Sequence, residues 1–115
     1  MKKDKMLAKA ISIAATAHMD QFDRSGQPYI LHALEVMRTV KSKDSEVLQA
    51  AVLHDVLEDT YITASDLIDL GFSDRIVQIL QVLTHLETET YEEYISFILK
   101  HKETMLIKMA DLKHN

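Results

Sequence analysis

Apolar residues recur at helical spacing along almost the whole chain, interrupted by only two glycines and one proline, and no alternating run convincingly reaches the length of a strand. That pattern restricts the chain to helix packed on helix, an all-α fold. Met6, Ala10, Ile13, Ala14 and Ala17 mark a first helix ending near Asp20. The segment from Gln21 to Pro28 is the one clear non-helical loop, and Pro28, whose fixed φ suits a first turn, opens a helix from Tyr29 to Val40. A central helix is expected from Ser45 to about Asp59, with Asp44 or Ser45 as its N-cap. Thr63-Ala64-Ser65-Asp66 reads as a capped start and Gly71 as a left-handed stop, and Ser73 caps a helix through Leu83. Segments from Glu92 to about His101 and from Lys102 to the end complete a single bundle of about seven helices with short loops.

At 115 residues and 47% hydrophobic content the chain reads as one domain, residues 1–115, with a core that needs no disulfide. Its net charge of −5, from 18 acidic against 13 basic side chains, argues against a nucleic-acid groove, which needs a dense basic face. The absence of cysteine removes thiolate metal sites and cysteine nucleophiles and is compatible with a cytoplasmic location. The basic start (Lys2, Lys3, Lys5) leads into a stretch broken by Lys9, Ser12 and Thr16, neither a membrane span nor a secretory segment. The expected partner is a small molecule, with no nucleic-acid polymer and no membrane; a homo-oligomer stays open.

Polar groups inside the apolar helices carry the chemistry. His54 and Asp55 fall in the middle of a run, Val47 to Leu57, that has almost no polar face, and Asp111 interrupts a second run, Met105 to Leu112, that is apolar nearly all round. Buried imidazoles and carboxylates must find partners, and one shared divalent cation satisfies all three. On a continuous helix His54, Asp55, Glu58 and Asp59 stand at i, i+1, i+4 and i+5, on one sector of the surface, so that two bind metal while two face substrate. With His32 from the preceding helix, the nitrogen and oxygen set suits Mn, Fe, Zn or Ni, with water completing the coordination. The competing readings are a closed hydrogen-bond network for the buried groups and a solvated helix end for Glu58 and Asp59. His18, His85, His101 and His114 read as structural or exposed.

Four ordered strings make the chain recognisable: Ala17-His18, Arg24-Ser25-Gly26-Gln27-Pro28-Tyr29-Ile30-Leu31-His32, His54 to Thr60 (HDVLEDT), and Lys108 to Asn115 (KMADLKHN). Together they resemble the hydrolase half of the Rel/SpoT alarmone enzymes, a helical HD-superfamily domain, and in size the chain is similar to the small stand-alone hydrolases. The resemblance implies His32, His54, Asp55 and Asp111 as metal ligands, with Mn2+ the usual ion. It implies Glu58 and Asp59 as the acid-base pair, Arg24 and Ser25 as nucleotide contacts, and Asn115 as a residue lining the same pocket. The implied activity is removal of the 3′-pyrophosphate from (p)ppGpp, giving GDP or GTP plus pyrophosphate. Two rivals stand beside it: a catalytically impaired nucleotide-binding HD module, and an HD phosphatase acting on another small nucleotide.

The sequence departs from the family pattern in three places. Asp23 stands where the family carries the first of two basic residues, which packs on the guanine, so weaker guanine recognition is expected. Leu112 and Lys113 alter the usual Ala-Asp-Arg-Leu-His-Asn, and family members continue through further helices, so the chain reads as truncated after its last motif.

Overall fold

The computed structural model of the chain describes residues 4–84 and 90–114. Among these residues there are eight helices: α1 (Lys5–Ala17), α2 (Ile30–Thr39), α3 (Ser45–Val52), α4 (Val56–Asp59), α5 (Ala64–Asp69), α6 (Asp74–Leu83), α7 (Tyr91–Leu99) and α8 (Lys102–His114). The local signals behave as their chemistry requires. Asp44 caps α3 by accepting from Glu46 N, and Ser73 caps α6 by accepting from Ile76 N. Thr63 and Asp66 form a reciprocal capping box, and Gly71 takes φ 98°, the left-handed conformation that ends α5. Pro28 sits two residues before α2, where its carbonyl accepts from Leu31 N at 3.1 Å.

The expected continuous helix from Ser45 to Asp59 is broken. After Val52 the chain enters a tight turn over Leu53-His54-Asp55 in which His54 N bonds to Ala51 O and Val56 N to Leu53 O, each three residues back. The His54 imidazole supplies the local reason, because its Nδ1 lies 2.8 Å from Ala51 O and engages a carbonyl at the end of α3. The break adds one helix to the expected count and, as described below, sets the direction of His54 and Asp55.

Helix α3 is the centre of the bundle and packs against α1, α2, α6 and α8. This explains its lack of a polar face: Val47, Gln49, Ala50, Ala51 and Val52 are all buried. Ala10 and Ala14 of α1 and Ala50 and Ala51 of α3 are fully buried, and such small side chains let helix axes approach closely. The buried Gln49 amide is satisfied by Ser45 Oγ at 2.9 Å, which in turn donates to Asp4 Oδ2 at 2.5 Å. Arg75 on α6 reaches Asp44 (2.8 Å), Glu46 (3.1 Å) and Glu103 (3.4 Å), joining α6 to the starts of α3 and α8.

Helix α8, apolar nearly all round in sequence, buries only one side. Thr104, Ile107 and Ala110 face the core, whereas Met109 and Leu112 are more than half exposed. Among the described residues no helix is long and apolar enough to cross a membrane.

Leu53 is fully buried at the break between α3 and α4. Leu53→Ala is expected to cost about 2–5 kcal/mol by urea unfolding, whereas Thr63→Ala, which removes only the α5 cap, should cost about 1 kcal/mol. Equal costs would mean that the turn is not anchored by the core.

Candidate metal centre

Helices α2 and α8 and the turn after α3 bring four of the sequence-predicted groups together in a chain of contacts. His32 Nε2 lies 2.8 Å from Asp111 Oδ1. His54 Nε2 lies 3.2 Å from Asp55 Oδ2 and 3.3 Å from the same Asp111 oxygen. One donor atom each from His32, His54 and Asp55 falls within 4.8 Å of the others. The residues come from positions 32, 54–55 and 111, so only the tertiary fold assembles them.

The protonation pattern of His54 tests whether a cation suits this cluster. Ala51 O can only accept, so Nδ1 carries the ring proton and, in the neutral imidazole, Nε2 presents a lone pair. That Nε2 is buried and has no hydrogen-bond partner among the described residues, although two carboxylate oxygens approach it. A lone pair facing anionic oxygens is repulsive by itself and favourable with a cation between them. Nε2 lies at ion-pair distance from both carboxylates yet makes no hydrogen bond to either among the described residues.

The two carboxylates are pushed in opposite directions. Burial, followed by the charges of Asp111, Asp59 and Glu58, raises Asp55 to about 7. Burial also opposes ionisation of Asp111, but its contacts with His32 and His54 and the nearby Lys108 hold its pKa far below the usual carboxylate range. The Tyr29 hydroxyl donates to Asp55 Oδ2.

Two spaces adjoin the cluster. A cleft of about 730 Å³ is lined by Phe22, Asp23, Arg24, Ser25, Tyr29, His32 and His114, within the roughly 300–1,000 Å³ usual for small-molecule sites. A cavity of about 40 Å³ is lined by His54, Asp55, Glu58, Leu83, Tyr94, Ile107, Lys108 and Asp111, room for about one or two waters. Arg24 and Ser25 therefore line the cleft and Glu58 the small cavity, while Asp59 lines neither. The sequence expectation that His54, Asp55, Glu58 and Asp59 share one sector of a continuous helix is not met, because the chain turns between α3 and α4; Glu58 and Asp59 stay adjacent on α4. Asn115 and His85 lie outside the described residues.

Asp23, read from sequence only as a missing cation, folds the loop. Its Oδ1 accepts from Ser25 N (2.9 Å), Ser25 Oγ (2.8 Å) and Gln27 N (2.9 Å), around Gly26 at φ 84°. One other residue was missed. Lys108 Nζ is 3.7 Å from Asp111 Oδ2 and 5.8 Å above the Tyr94 ring, and only its place inside the last motif hinted at it. His18, read as structural or exposed, is buried; its Nδ1 meets Gln21 Oε1 at 2.9 Å, and Gln21 Nε2 donates to Asp59 O at 2.8 Å, tying the loop to the end of α4.

Comparison with known proteins adds relatives to this geometry. The chain matches the HD domain family over residues 10–113. It is 31% identical over 122 residues to a guanosine-3′,5′-bis(diphosphate) 3′-pyrophosphohydrolase of Vibrio cholerae, covering 95% of this chain and 17% of that protein. It is 32% identical over 124 residues to the bifunctional (p)ppGpp synthase/hydrolase SpoT of Escherichia coli, covering 96% of this chain and 18% of that protein. The chain thus spans less than a fifth of the length of these two curated relatives. Among solved structures it is similar, at a TM-score of 0.80 and 25% identity, to a metazoan ortholog of SpoT that hydrolyzes ppGpp and plays a role in starvation responses; the match covers 96% of this chain and 68% of that one.

A cation held by the cluster stabilises the folded state through its binding affinity. At a free-metal concentration 100 times Kd this amounts to about 2.7 kcal/mol, a rise in Tm on the order of 10 °C for a domain of this size. Chelation should reverse the rise in the native chain and leave Asp55→Ala unmoved, as read by thermal unfolding with metal analysis. Equal metal content in the two forms would remove Asp55 from the site.

Proposed function

The chain belongs to the HD domain family, and on that premise we propose that it is a metal-dependent phosphohydrolase that removes the 3′-pyrophosphate of (p)ppGpp to give GDP or GTP and pyrophosphate. The observation that carries this reading is the unpartnered, buried His54 Nε2 facing two carboxylates beside a nucleotide-sized cleft.

In this reading His32, His54, Asp55 and Asp111 hold the cation, which is Mn2+. Bound there, it lowers the pKa of a coordinated water and offsets charge on the attacked phosphoryl oxygens. Glu58 lines the small cavity and takes the proton of the attacking water as the oxygen adds to phosphorus; the bond to the ribose 3′-oxygen breaks, and that oxygen takes up the proton from Glu58. Asp59 stands one residue further on, anchored through its carbonyl by Gln21, and assists through its charge. Arg24 and Ser25 hold the nucleotide from the cleft wall, Arg24 being suited to phosphate by its forked donors. Asn115 orients the ribose.

Glu58→Gln keeps size and hydrogen bonding but cannot exchange a proton. It should retain Mn2+ and nucleotide while losing about 10²- to 10⁴-fold in pyrophosphate release, and Asp59→Asn should lose less. If the native chain with Mn2+ binds ppGpp but releases no pyrophosphate, the chain is a nucleotide-binding module instead.

A further inference from the structure

His114, in the last turn of α8, makes two contacts with His32. Their Nδ1 atoms are 2.7 Å apart, and the rings stack at 4.9 Å between centroids with 23° between planes. Two ring nitrogens at that separation share one proton, since two lone pairs would repel. His32 Nε2 is the atom turned inward, 2.8 Å from Asp111 Oδ1, with the His54 ring 5.4 Å away centroid to centroid. For Nε2 to offer a lone pair to a cation, the proton of His32 must reside on Nδ1, and the acceptor placed to receive it is His114 Nδ1.

We infer that His114 is a positioning residue for the metal centre: it accepts the Nδ1–H of His32, and so fixes both the tautomer and the ring orientation in which His32 Nε2 faces the cation. The inference rests on the metal reading above. His114 itself is exposed and lines the cleft rather than the core, so replacing it leaves the packing of the bundle in place. His54 has the equivalent partner in its own backbone, Ala51 O, whereas α2 offers His32 Nδ1 no carbonyl among the described contacts. The second histidine therefore obtains from α8 a hydrogen-bond acceptor that the first obtains from the turn.

The two contacts can be separated. His114→Phe keeps a stacking ring but removes the acceptor; His114→Gln keeps an acceptor oxygen but removes the ring. Mn2+ is titrated against native, Phe and Gln forms without nucleotide, and thermal unfolding in chelator checks that the three folds are equally stable. Orienting partners of metal-bound histidines are generally worth 10- to 100-fold in affinity, and because water can reach this edge the expected loss for Phe is about tenfold. Gln should stay within about threefold of native. The reverse ranking, with Phe near native and Gln weakened, would show that His114 acts only by stacking and would overturn the inference, as would two equally weakened or two native-like variants. A native chain that binds no Mn2+ would overturn the metal reading itself, and this inference with it.

Discussion

The candidate site depends on one hydrogen bond, from His54 Nδ1 to the carbonyl of Ala51. It holds the turn that ends α3, and by placing the imidazole proton on Nδ1 it leaves a lone pair on Nε2, pointed at Asp55 and Asp111. A straight helix through this segment would have used Ala51 O in its own ladder and given His54 a different direction. The same interaction therefore sets backbone path, tautomer and ligand direction, and it is buried where water does not compete for it.

Around that bond the protein concentrates negative charge on one small region. Burial, followed by the charges of Asp111, Asp59 and Glu58, moves Asp55 to about 7. Lys108, 3.7 Å from Asp111, offsets part of this and is itself half-sheltered against Tyr94. Such an arrangement is costly unless it binds something positive, because isolated buried charges are paired or coordinate metals. The stability needed to maintain it comes from the alanine-rich contact of α1 with α3 and the apolar sides of α6 and α8, which enclose the central helix.

The loop between α1 and α2 connects this centre to the cleft. Asp23 folds its tip, His18 and Gln21 fasten its base to α4, and Tyr29 donates from its far end to Asp55. Arg24 and Ser25 are presented to the cleft by a loop tied at one end to α4 and at the other to Asp55, which is how a surface segment can place groups with the accuracy that binding requires.

Helical class, most helix boundaries and caps, and the identity of the buried polar residues were legible in the sequence, because they depend on spacing and on local hydrogen bonding: Thr63 with Asp66, Ser73 and Gly71 act within a few residues of themselves. The resemblance of the four motifs also pointed to His32, His54, Asp55 and Asp111 before any geometry was known. The break at Leu53 and the contacts of His18, Lys108, Tyr29 and His114 were not legible. Each arises from a contact between segments far apart in the chain, or from a side chain taking over a backbone acceptor, and periodicity contains no record of either. The sequence by itself determined which groups had to be buried together; only the packing of α2, α3 and α8 decided which atoms of those groups meet, because a metal or nucleotide site is defined by the direction of lone pairs and N–H bonds in space.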